Sequence, residues 1–382
     1  MGCDMNGRKI VKSKTWIPPK NLTPKQLEKE IERQKVLFEE EVKTGACPNS
    51  NIKFEPYSKR WLLEYGKQNL APKTYNRYCE YLKRINKAIG HIKLQDLQPL
   101  HLNAFYRNLA EDGVNLKAKR DEDGNIIANG KLSPKTIVEH HRVISKLLST
   151  AVKWNLVKEN VARRADPPKV SAKEIDFLNE EETRKMLTAL QDEPITYKTM
   201  IMLLIYTGIR RGELFGLEWK DIDFENGYLE IVRTSQYIGN KTLITKDPKT
   251  KSSRRMMKLS NDIIKILNSY RVWQIEQRFK IGSEWHDTDR LFTQWNGLPM
   301  YPDSLTKWFN KFLKRHNLRQ VTLHSLRHTN ATLMIAEGTD IRTVSSRLGH
   351  SNTSTTLNIY THALKSKDTQ AAEVLNNVLA IS

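Results

Sequence analysis

Apolar residues recur at three- and four-residue spacing through most of this chain, a periodicity typical of amphipathic helices. Between residues 54 and 170 the pattern predicts a series of four helices. Their starts are marked by cap or first-turn residues, namely Ser58, Pro72, Pro99 and the pair Ser133–Pro134. Residues 117–131, between the third and fourth helix, contain Asp-Gly and Asn-Gly steps and predict a turn-rich hairpin or loop.

A polar, proline-bearing stretch at residues 163–174 is the clearest predicted domain boundary. Beyond it, Asn179 and Glu182 are spaced as a capping box, and a buried helix is expected to end at Gly208. Three segments then alternate like short antiparallel strands, at residues 227–232, 237–247 and 254–259, and helices follow as far as residue 362. The sequence therefore predicts a mainly α fold with a small antiparallel β-sheet, in which a helical domain precedes a mixed α/β domain.

Residues 1–50 form a further region, a small basic module. Residues 8–16 carry four cations, among them Lys12 and Lys14, interleaved with apolar residues, which suits a short exposed strand or hairpin. Thr23 and Pro24 then open a predicted linker helix. A three-stranded sheet would need one more strand upstream, which leaves the completeness of the module open. The alternative interpretation is a solubilising leader with a helical linker.

The chain is basic, because 63 Lys and Arg residues against 43 Asp and Glu give a net charge of +20. This balance favours a polyanionic partner, since each neutralised phosphate releases a counterion and adds affinity that does not depend on sequence. Residues 51–170 alone hold 23 Lys and Arg against 12 Asp and Glu. Candidate DNA-binding residues here begin or punctuate the predicted helices, where backbone amides also attract phosphate. They are Lys73, Arg77, Arg142 and Lys146.

The three cysteines are scattered without metal-ligand or disulfide spacing, so neither a zinc site nor a disulfide framework is expected. The longest purely apolar run, residues 200–206, is far shorter than the ~20 residues of a membrane span. The N-terminus has no apolar stretch after its charges, as a signal peptide would. We therefore expect a soluble, cytoplasmic protein with no membrane partner.

Two C-terminal stretches carry the most direct chemistry, HSLRHT (324–329) and LGHSNTSTTLNIYTH (348–362). They supply His324, Arg327, His350 and Tyr360. Arginine can donate two parallel hydrogen bonds to phosphate oxygens, histidine exchanges protons near neutral pH, and tyrosine can serve as a covalent nucleophile. Each residue also has an ordinary alternative, since His324 and Arg327 could hydrate a helix N-terminus and Tyr360 could be a packed aromatic.

Two upstream segments add charged groups to this set. In TGIRRGELFGL (207–217), Arg210 follows a helix end and stands three residues before Glu213. The carboxylate could orient the arginine on an anion, or the two could form an ordinary capping ion pair. In TKDPKTKSSRR (245–255), which joins two predicted strands, a lysine could act as a general acid. The candidates are Lys246, Lys249 and Lys251, and residue chemistry alone does not choose among them.

Taken in order, these motifs resemble those of the tyrosine recombinase (phage integrase) family. The matching parts are Arg210 in TGIRRGEL, a hairpin lysine, HSLRHT, LGH and a tyrosine ten residues after its histidine. The resemblance covers about residues 54–365 and is strongest from residue 200 onward. Residues 1–50 more loosely resemble the arm-type DNA-binding module of integrases from phages and conjugative transposons of Gram-positive bacteria.

The resemblance implies a covalent reaction on DNA. Tyr360 would attack the scissile phosphate in line, forming a 3′-phosphotyrosyl bond and freeing a 5′-hydroxyl. Arg210 and Arg327 would bind the non-bridging oxygens as negative charge develops on them. Lys249, which takes the PKT position of the hairpin, would protonate the leaving oxygen.

The remaining residues would assist. His324 would help proton transfer at the tyrosine, His350 would donate to the phosphate, and Glu213 would orient Arg210. His328, beside Arg327, would be structural. The resemblance implies neither a metal nor a cofactor, since two arginines and a lysine supply the positive charge that a metal otherwise would.

The resemblance also implies an organisation on double-stranded DNA. Residues 54–165 would bind core-type sites from one face and the catalytic domain, residues 174–365, from the other, while residues 1–50 would bind arm-type sites. Four protomers would assemble on two sites, with the tail at residues 366–382 docking on a neighbour or packing in cis. An excisionase or a DNA-bending protein is a further expected partner.

The first hypothesis is therefore a site-specific recombinase that integrates and excises a mobile element. A chromosome-dimer or inversion recombinase has the same chemistry, but the N-terminal basic module counts against it. A non-catalytic DNA-binding protein is a third hypothesis, against which the intact Arg210, Arg327 and Tyr360 count. A type IB topoisomerase shares the active-site logic, but the separations and the LGH motif fit a recombinase better.

Overall fold

The computed structural model describes residues 13, 15–18, 23–43, 51–111, 114–115, 119–120, 126–128, 130–171, 175–238, 242–246 and 254–349. The chain divides into two compact units between residues 172 and 173, and each unit is described by itself. Among the helices of these residues, none combines the length and apolar character needed to cross a lipid bilayer.

The N-terminal helix α1 (Pro24–Lys43) begins where the sequence predicts, with a proline in its first turn. Thr23 precedes it, and both the backbone N–H and the hydroxyl of Thr23 donate to Oε1 of Gln26, at 3.0 and 2.9 Å. The cations of the predicted strand, Lys12 and Lys14 included, lie outside the described residues. The strand therefore stays a prediction.

Helices and one small hairpin make up the rest of the unit that ends at residue 172. After α1, the next helix runs without a break from α2 (Phe54–Trp61) through a π-helical turn (Leu62–Gly66) into α3 (Lys67–Asn69). It is followed by α4 (Pro72–Ile89), α5 (Pro99–Leu109) and α6 (Pro134–Lys153). The sequence predicts a hairpin or a loop between α5 and α6, and the structure has a hairpin of two antiparallel strands, β1 (Lys119–Arg120) and β2 (Ile126–Ala128).

Three predicted helix starts in this unit are confirmed. Helices α4, α5 and α6 begin at Pro72, Pro99 and Pro134, where the missing N–H of proline would have no helical partner in any case. The Ser133 hydroxyl also accepts a hydrogen bond from the Thr136 backbone N–H at 3.3 Å, as an N-cap does.

The start predicted at Ser58 is wrong, because α2 begins one turn earlier, at Phe54. The backbone N–H of Phe54 donates to the carbonyl of Ile92 at 2.8 Å, so a neighbouring segment satisfies the donor that a capping side chain would otherwise serve. Phe54 and Tyr57 are both buried, and the apolar face of the helix therefore extends upstream of the serine. Ser58 itself donates to the carbonyl of Glu55 from inside the helix.

The core of this unit lies where α2, α4, α5 and α6 meet. Trp61 is fully buried, with its ring 4.9 Å from that of Tyr65 and 5.9 Å from that of Tyr78. The Tyr57 hydroxyl donates to the carbonyl of Leu147 in α6 at 2.6 Å, and burial raises the pKa of Tyr57 well above its usual value. The α2 helix is thus tied to α6 by both packing and a buried hydrogen bond.

The second unit is also mostly helical. Its helices are α7 (Glu180–Ala189), α8 (Ile195–Thr207), α9 (Arg211–Leu214), α10 (Asn261–Ile281), α11 (Pro302–Arg315), α12 (Leu323–Ala336) and α13 (Ile341–Leu348). Its strands are β3 (Ile222–Asp223), β4 (Tyr228–Ile231), β5 (Thr234–Ile238), β6 (Thr242–Lys246) and β7 (Arg255–Lys258). The predicted mainly α fold with small antiparallel sheets is confirmed.

The strand pattern differs from the three consecutive strands that the sequence predicts. The three-stranded sheet has the order β3-β4-β7. Among the described residues, β5 and β6 pair with each other alone, in a separate antiparallel ribbon with Ile238 opposite Thr242. The predicted middle strand, residues 237–247, therefore covers the end of β5 and the whole of β6. The ribbon contacts the segment at residues 299–301. The Tyr237 hydroxyl donates to the Pro299 carbonyl at 3.0 Å, and the Tyr237 ring packs on that of Tyr301.

Helix α8 is the centre of the second core. Most of its residues are apolar and most are buried, and it packs against both α10 and α12. It ends at Gly208, which has a left-handed φ of +63°. A Cβ at this position would lie 2.4 Å from the Leu348 side chain and 2.7 Å from Oδ1 of Asn330. Only glycine therefore lets the end of α8 approach α12 and α13 this closely.

Candidate active site

Arg327 projects from the first turns of α12 into the interior of the second unit, where only 2% of its surface is exposed. Thr322 caps this helix as predicted, accepting a hydrogen bond from the Ser325 backbone N–H at 3.1 Å. The Arg327 guanidinium donates from Nη1 to the Gly208 carbonyl at 2.7 Å and from Nη2 to the Leu348 carbonyl at 2.8 Å. One buried cation thus joins the ends of α8 and α13 to the start of α12.

Arg210 stands at the start of α9, directly after the turn that Gly208 makes. Its guanidinium donates from Nη1 to Oε1 of Glu213 at 2.8 Å, and from Nη2 to the carbonyl of Gly349 at 2.9 Å. The Arg210 side chain is 40% exposed, whereas that of Glu213 is 6% exposed. The buried Glu213 carboxylate therefore fixes the position of Arg210, while part of the Arg210 side chain remains accessible to solvent.

A third arginine, Arg255 of β7, binds the same carboxylate. Its Nη2 donates to Oε2 of Glu213 at 2.8 Å, and its side chain is 7% exposed. Two guanidinium groups thus bind one carboxylate, and a third, that of Arg327, interacts with it electrostatically. This leaves an excess of positive charge in a largely buried site. Burial, followed by the nearby charges of Arg210 and Arg255, lowers the pKa of Arg327 to about 9, although Glu213 acts in the opposite direction.

His324 lies one turn before Arg327 on the same helix. Part of its side chain is exposed, but loss of water around the ring, followed by the charges of Arg327 and Arg210, lowers its pKa below the ordinary value. The imidazole is therefore neutral at pH 7 and able to accept a proton. Its ring meets that of His328 edge-on, with centroids 4.6 Å apart.

His328 has the more enclosed environment of the two histidines. Burial, then the neighbouring His324 and Arg327, lowers its pKa to about 4, against a smaller opposing effect of Asp176. Its Nδ1 is buried without a hydrogen-bond partner among the described residues. His328 is therefore a neutral packing group throughout the physiological pH range, which agrees with a structural role.

The structure brings Arg210, Glu213, His324 and Arg327 together from two separate segments of the sequence. Three other predicted site residues, Lys249, His350 and Tyr360, lie outside the described residues, as does the alternative Lys251. Lys246 ends β6, opposite Thr234, and is exposed. Within the described ranges, no group of three His, Cys, Asp or Glu side chains is arranged to hold a metal ion.

Sequence reasoning missed Arg255, although a signal for it exists. Strand β7 alternates, and Arg255 falls on the same face as the buried Met257, whereas Met256 points outward. An arginine at an inward-facing strand position must find a partner, because an unpaired buried charge is costly. That alternation singles out Arg255 from Arg254, which is exposed and pairs with Glu230 at the surface.

In the first unit, the predicted DNA-binding cations form two helical stripes. Lys73 and Arg77 are one turn apart in α4, and Arg142 and Lys146 are one turn apart in α6. All are exposed, and two of them rest on aromatic rings, with the Arg77 guanidinium 5.3 Å from the Tyr81 ring centroid and the Lys146 ammonium 5.2 Å from that of Tyr65. These rings hold the cations at the surface.

The prediction that all four cations begin or punctuate helices is wrong for α6. Arg142 and Lys146 lie in the middle of that helix, where the backbone N–H groups are used by the helix itself and cannot bind phosphate. Arg142 also pairs with Glu139 at 2.7 Å. Only Lys73, in the first turn of α4, combines a side-chain cation with free helix N–H groups.

Two family models match the chain. The phage integrase family matches residues 176–367, and the phage integrase N-terminal SAM-like domain matches residues 53–110. A tyrosine recombinase XerC-like protein of Caldanaerobacter subterraneus subsp. tengcongensis is 29% identical over 376 residues, covering 92% of this chain and 90% of the relative. The ICEBs1 integrase of Bacillus subtilis is 28% identical over 308 residues, covering 80% of this chain and 78% of the relative.

Solved structures of similar fold include the Tn1549 transposon integrase in complex with a circular intermediate DNA. It superimposes with a TM-score of 0.65 at 19% identity and covers 81% of this chain and 94% of its own. A lambda integrase tetramer bound to a Holliday junction has a TM-score of 0.56 at 16% identity, with 86% and 87% covered. At these identities the likeness shows that the chains share a fold.

Proposed function

Because this chain belongs to the phage integrase family of tyrosine-type site-specific DNA recombinases, we propose that it integrates and excises a mobile DNA element. The similarity to an ICEBs1 integrase supports this role, as does the basic module at residues 1–50, which would bind arm-type sites. The further parts of the proposal are a DNA phosphate held by the arginine cluster, a tyrosine nucleophile and a tetramer assembled on two core-type sites.

The observation that carries the proposal is the excess positive charge around Glu213. Arg210, Arg255 and Arg327 together outnumber the single carboxylate, and the pKa of Arg327 is lowered first by burial and then by the neighbouring charges of Arg210 and Arg255. An anion bound beside Arg210, the most exposed of the three, would relieve this repulsion. A phosphodiester offers two oxygens that the planar, two-donor edge of arginine fits.

In the proposed reaction, the Tyr360 hydroxyl oxygen attacks the scissile phosphorus and the bond from phosphorus to the 5′-oxygen breaks. His324, neutral at pH 7, accepts the tyrosine proton, and Lys249 gives a proton to the leaving 5′-oxygen. Arg210 and Arg327 stabilise the charge on the non-bridging oxygens, and His350 donates to the same phosphate. A 5′-hydroxyl from the partner DNA reverses these steps and reseals the strand.

The cations of α4 and α6 would bind the phosphate backbone of the core site. All four are exposed, and Arg77 and Lys146 rest on aromatic rings, which supports that assignment. Contacts between such cations and phosphates add affinity without reading the base sequence. The N-terminal module, including Lys12 and Lys14, would add arm-site contacts, and an excisionase or DNA-bending protein would set the direction of the reaction. Removing residues 1–50 should then abolish integration while core-site cleavage is retained.

A chromosome-dimer or inversion recombinase is the second candidate, favoured by the XerC-like relative that matches 92% of this chain. Both candidates use the same chemistry on different DNA. The sequence flanking the gene discriminates between them, because an integrated element is bounded by repeats of its attachment site, and a chromosomal recombinase gene is not.

The test of the proposed chemistry is a nicked duplex carrying that flanking repeat, from which the cleaved 5′-hydroxyl fragment diffuses away and traps the covalent complex. The wild-type protein should form an adduct that survives denaturation and is removed by protease. Tyr360→Phe should bind the same duplex with unchanged affinity and form no adduct. An adduct formed by the Phe variant would show that another residue is the nucleophile.

A further inference from the structure

Three consecutive backbone carbonyls at the end of α13 each accept a hydrogen bond from a different arginine. Arg255 Nε donates to the Arg347 carbonyl at 2.7 Å, Arg327 Nη2 to the Leu348 carbonyl at 2.8 Å, and Arg210 Nη2 to the Gly349 carbonyl at 2.9 Å. The C-terminal carbonyls of a helix lack helical partners and carry partial negative charge. Three guanidinium groups therefore supply the hydrogen bonds that the last carbonyls of this helix lack.

Arg255 holds this helix end and Glu213 at the same time. Its Nε binds the Arg347 carbonyl while its Nη2 binds Oε2 of Glu213, whose other oxygen binds the Arg210 guanidinium. Gly349, with a left-handed φ of +65°, makes room for it, since a Cβ there would lie 3.0 Å from Nη1 of Arg255. The Arg255 guanidinium thus occupies the space that is left open at the end of α13 because residue 349 is glycine.

The link between β7 and α13 is reciprocal. Arg347, at the end of α13, donates from its Nη2 back to the Lys258 carbonyl of β7 at 3.2 Å. Two arginines therefore cross between strand and helix in opposite directions, which fixes the spacing of the two elements more firmly than one bond would. The chain that continues from Gly349 leads to His350 and Tyr360, and the chain before β7 contains Lys249.

We infer that Arg255 is a positioning residue for DNA cleavage, acting through Glu213 on Arg210 and through the Arg347 carbonyl on the chain segment that leads to the nucleophile. This inference rests on the proposed function. The Arg255 side chain is 7% exposed and binds the Glu213 carboxylate, so the proposed role requires no contact between Arg255 and DNA. Its loss should therefore slow the chemical step while leaving the affinity for DNA nearly unchanged.

The experiment measures two quantities on the nicked duplex: the dissociation constant, and the single-turnover rate of adduct formation at saturating DNA. Arg255→Ala should lower the rate by roughly 10- to 100-fold, the range typical of residues that orient a directly acting group, with little change in the dissociation constant. The matched control is Arg254→Ala, which removes a neighbouring arginine whose ion pair is at the surface and should leave both quantities within about twofold.

A double-mutant cycle with Glu213→Gln separates positioning from general loss of structure. Because Arg255 acts in part through Glu213, the loss of rate in the double variant should be smaller than the product of the two single losses, whereas fully independent effects would multiply. Arg255→Lys provides a milder variant should the alanine protein fail to fold. It keeps the charge but cannot bind Glu213 and the Arg347 carbonyl together, so an intermediate rate is expected.

The outcomes are distinct. Equal rates for Arg255→Ala and Arg254→Ala, or multiplied losses in the cycle, would overturn the positioning role while leaving the proposed function intact. A loss of DNA affinity equal to the loss of rate would also overturn it, because it would place Arg255 in the DNA-binding surface. If the wild-type protein forms no adduct at all, the proposed function fails and this inference fails with it.

Discussion

The backbone N–H and the guanidinium of Arg210 both bind the carboxylate of Glu213, at 2.9 and 2.8 Å. The first bond caps the short helix α9 and the second fixes the arginine side chain. Capping and anion binding are therefore not alternative interpretations of this pair. The carboxylate that caps α9 also aims the arginine, so the local fold and the proposed chemistry depend on the same group.

The two proposed phosphate-binding arginines should respond differently to truncation, because they differ in burial. Arg210→Ala removes a half-exposed side chain, so we expect cleavage to fall by about 100- to 1,000-fold with little change in melting temperature. Arg327→Ala should lose at least as much activity and also destabilise the protein by on the order of 3 kcal/mol, since two buried carbonyls lose a charged donor. Adduct rates and thermal unfolding measure both effects.

Arg211→Ala is the matched control for this comparison. Arg211 is adjacent in sequence but binds Asp303 and Thr306, away from Glu213. Its loss should leave the rate of adduct formation within about twofold of the wild type. A melting temperature of Arg210→Ala as low as that of Arg327→Ala would contradict the assignment of Arg210 as the exposed, anion-facing member.

Local signals in the sequence predict where Arg210, Glu213, His324 and Arg327 lie relative to their helices. Gly208 ends α8 immediately before Arg210, and Thr322 caps the helix that carries His324 and Arg327. The tertiary contacts of these residues could not be predicted from local sequence signals. Arg210 binds the carbonyl of Gly349, 139 residues away, and such long-range contacts leave no periodic trace in the sequence.

The strands were predicted less well than the helices for a related reason. Alternation identifies a strand but not its partner, so the ribbon of β5 and β6 could not be told from a continuation of the sheet. Arg255 shows the same limit. Its inward position could be derived from the alternation of β7, but its pairing with Glu213 depends on how the sheet packs against α9 and α13.

We predict that the basic stripes of the first unit bind DNA through phosphate charge. Replacing Lys73, Arg77 or Lys146 with alanine should weaken binding to all duplex sequences and reduce the slope of log affinity against log salt by about 1 for each residue. Arg142→Ala should have a smaller effect, because Glu139 already neutralises that arginine. The measurement is a titration of labelled duplex at several salt concentrations.

Lys59→Ala provides the control for this titration. Lys59 is exposed on α2 and pairs with Glu55 at 2.7 Å, so it should contribute little to binding. If Lys59→Ala reduces the slope as much as Arg77→Ala does, the whole surface of the unit attracts DNA and the two stripes have no special role.

The lysine that protonates the leaving oxygen should be identifiable by chemical rescue. A substrate with a 5′-thiolate leaving group needs no proton, so it should restore cleavage by Lys249→Ala but not by Arg327→Ala, whose loss affects the phosphate oxygens. Lys246→Ala and Lys251→Ala, tested on the same pair of substrates, should cleave both normally. Rescue of the Lys251 variant instead would move the general acid by two residues, and rescue of the Lys246 variant would move it to the end of β6.

The stability of the second unit should depend on the protonation of His328. Its pKa is about 4 in the folded protein, against an ordinary value of 6.5, so the unfolded chain binds the proton more tightly. The stabilisation is therefore complete above pH 6.5 and is lost as the pH falls toward 4. Between pH 7 and pH 5, this single group should lower the free energy of unfolding by about 2 kcal/mol. Denaturant unfolding of wild type and His328→Gln at both pH values measures the contribution, because histidines distant from position 328 titrate equally in the two proteins. An equal loss of stability in both would show that His328 is protonated as easily in the folded protein as in the unfolded chain.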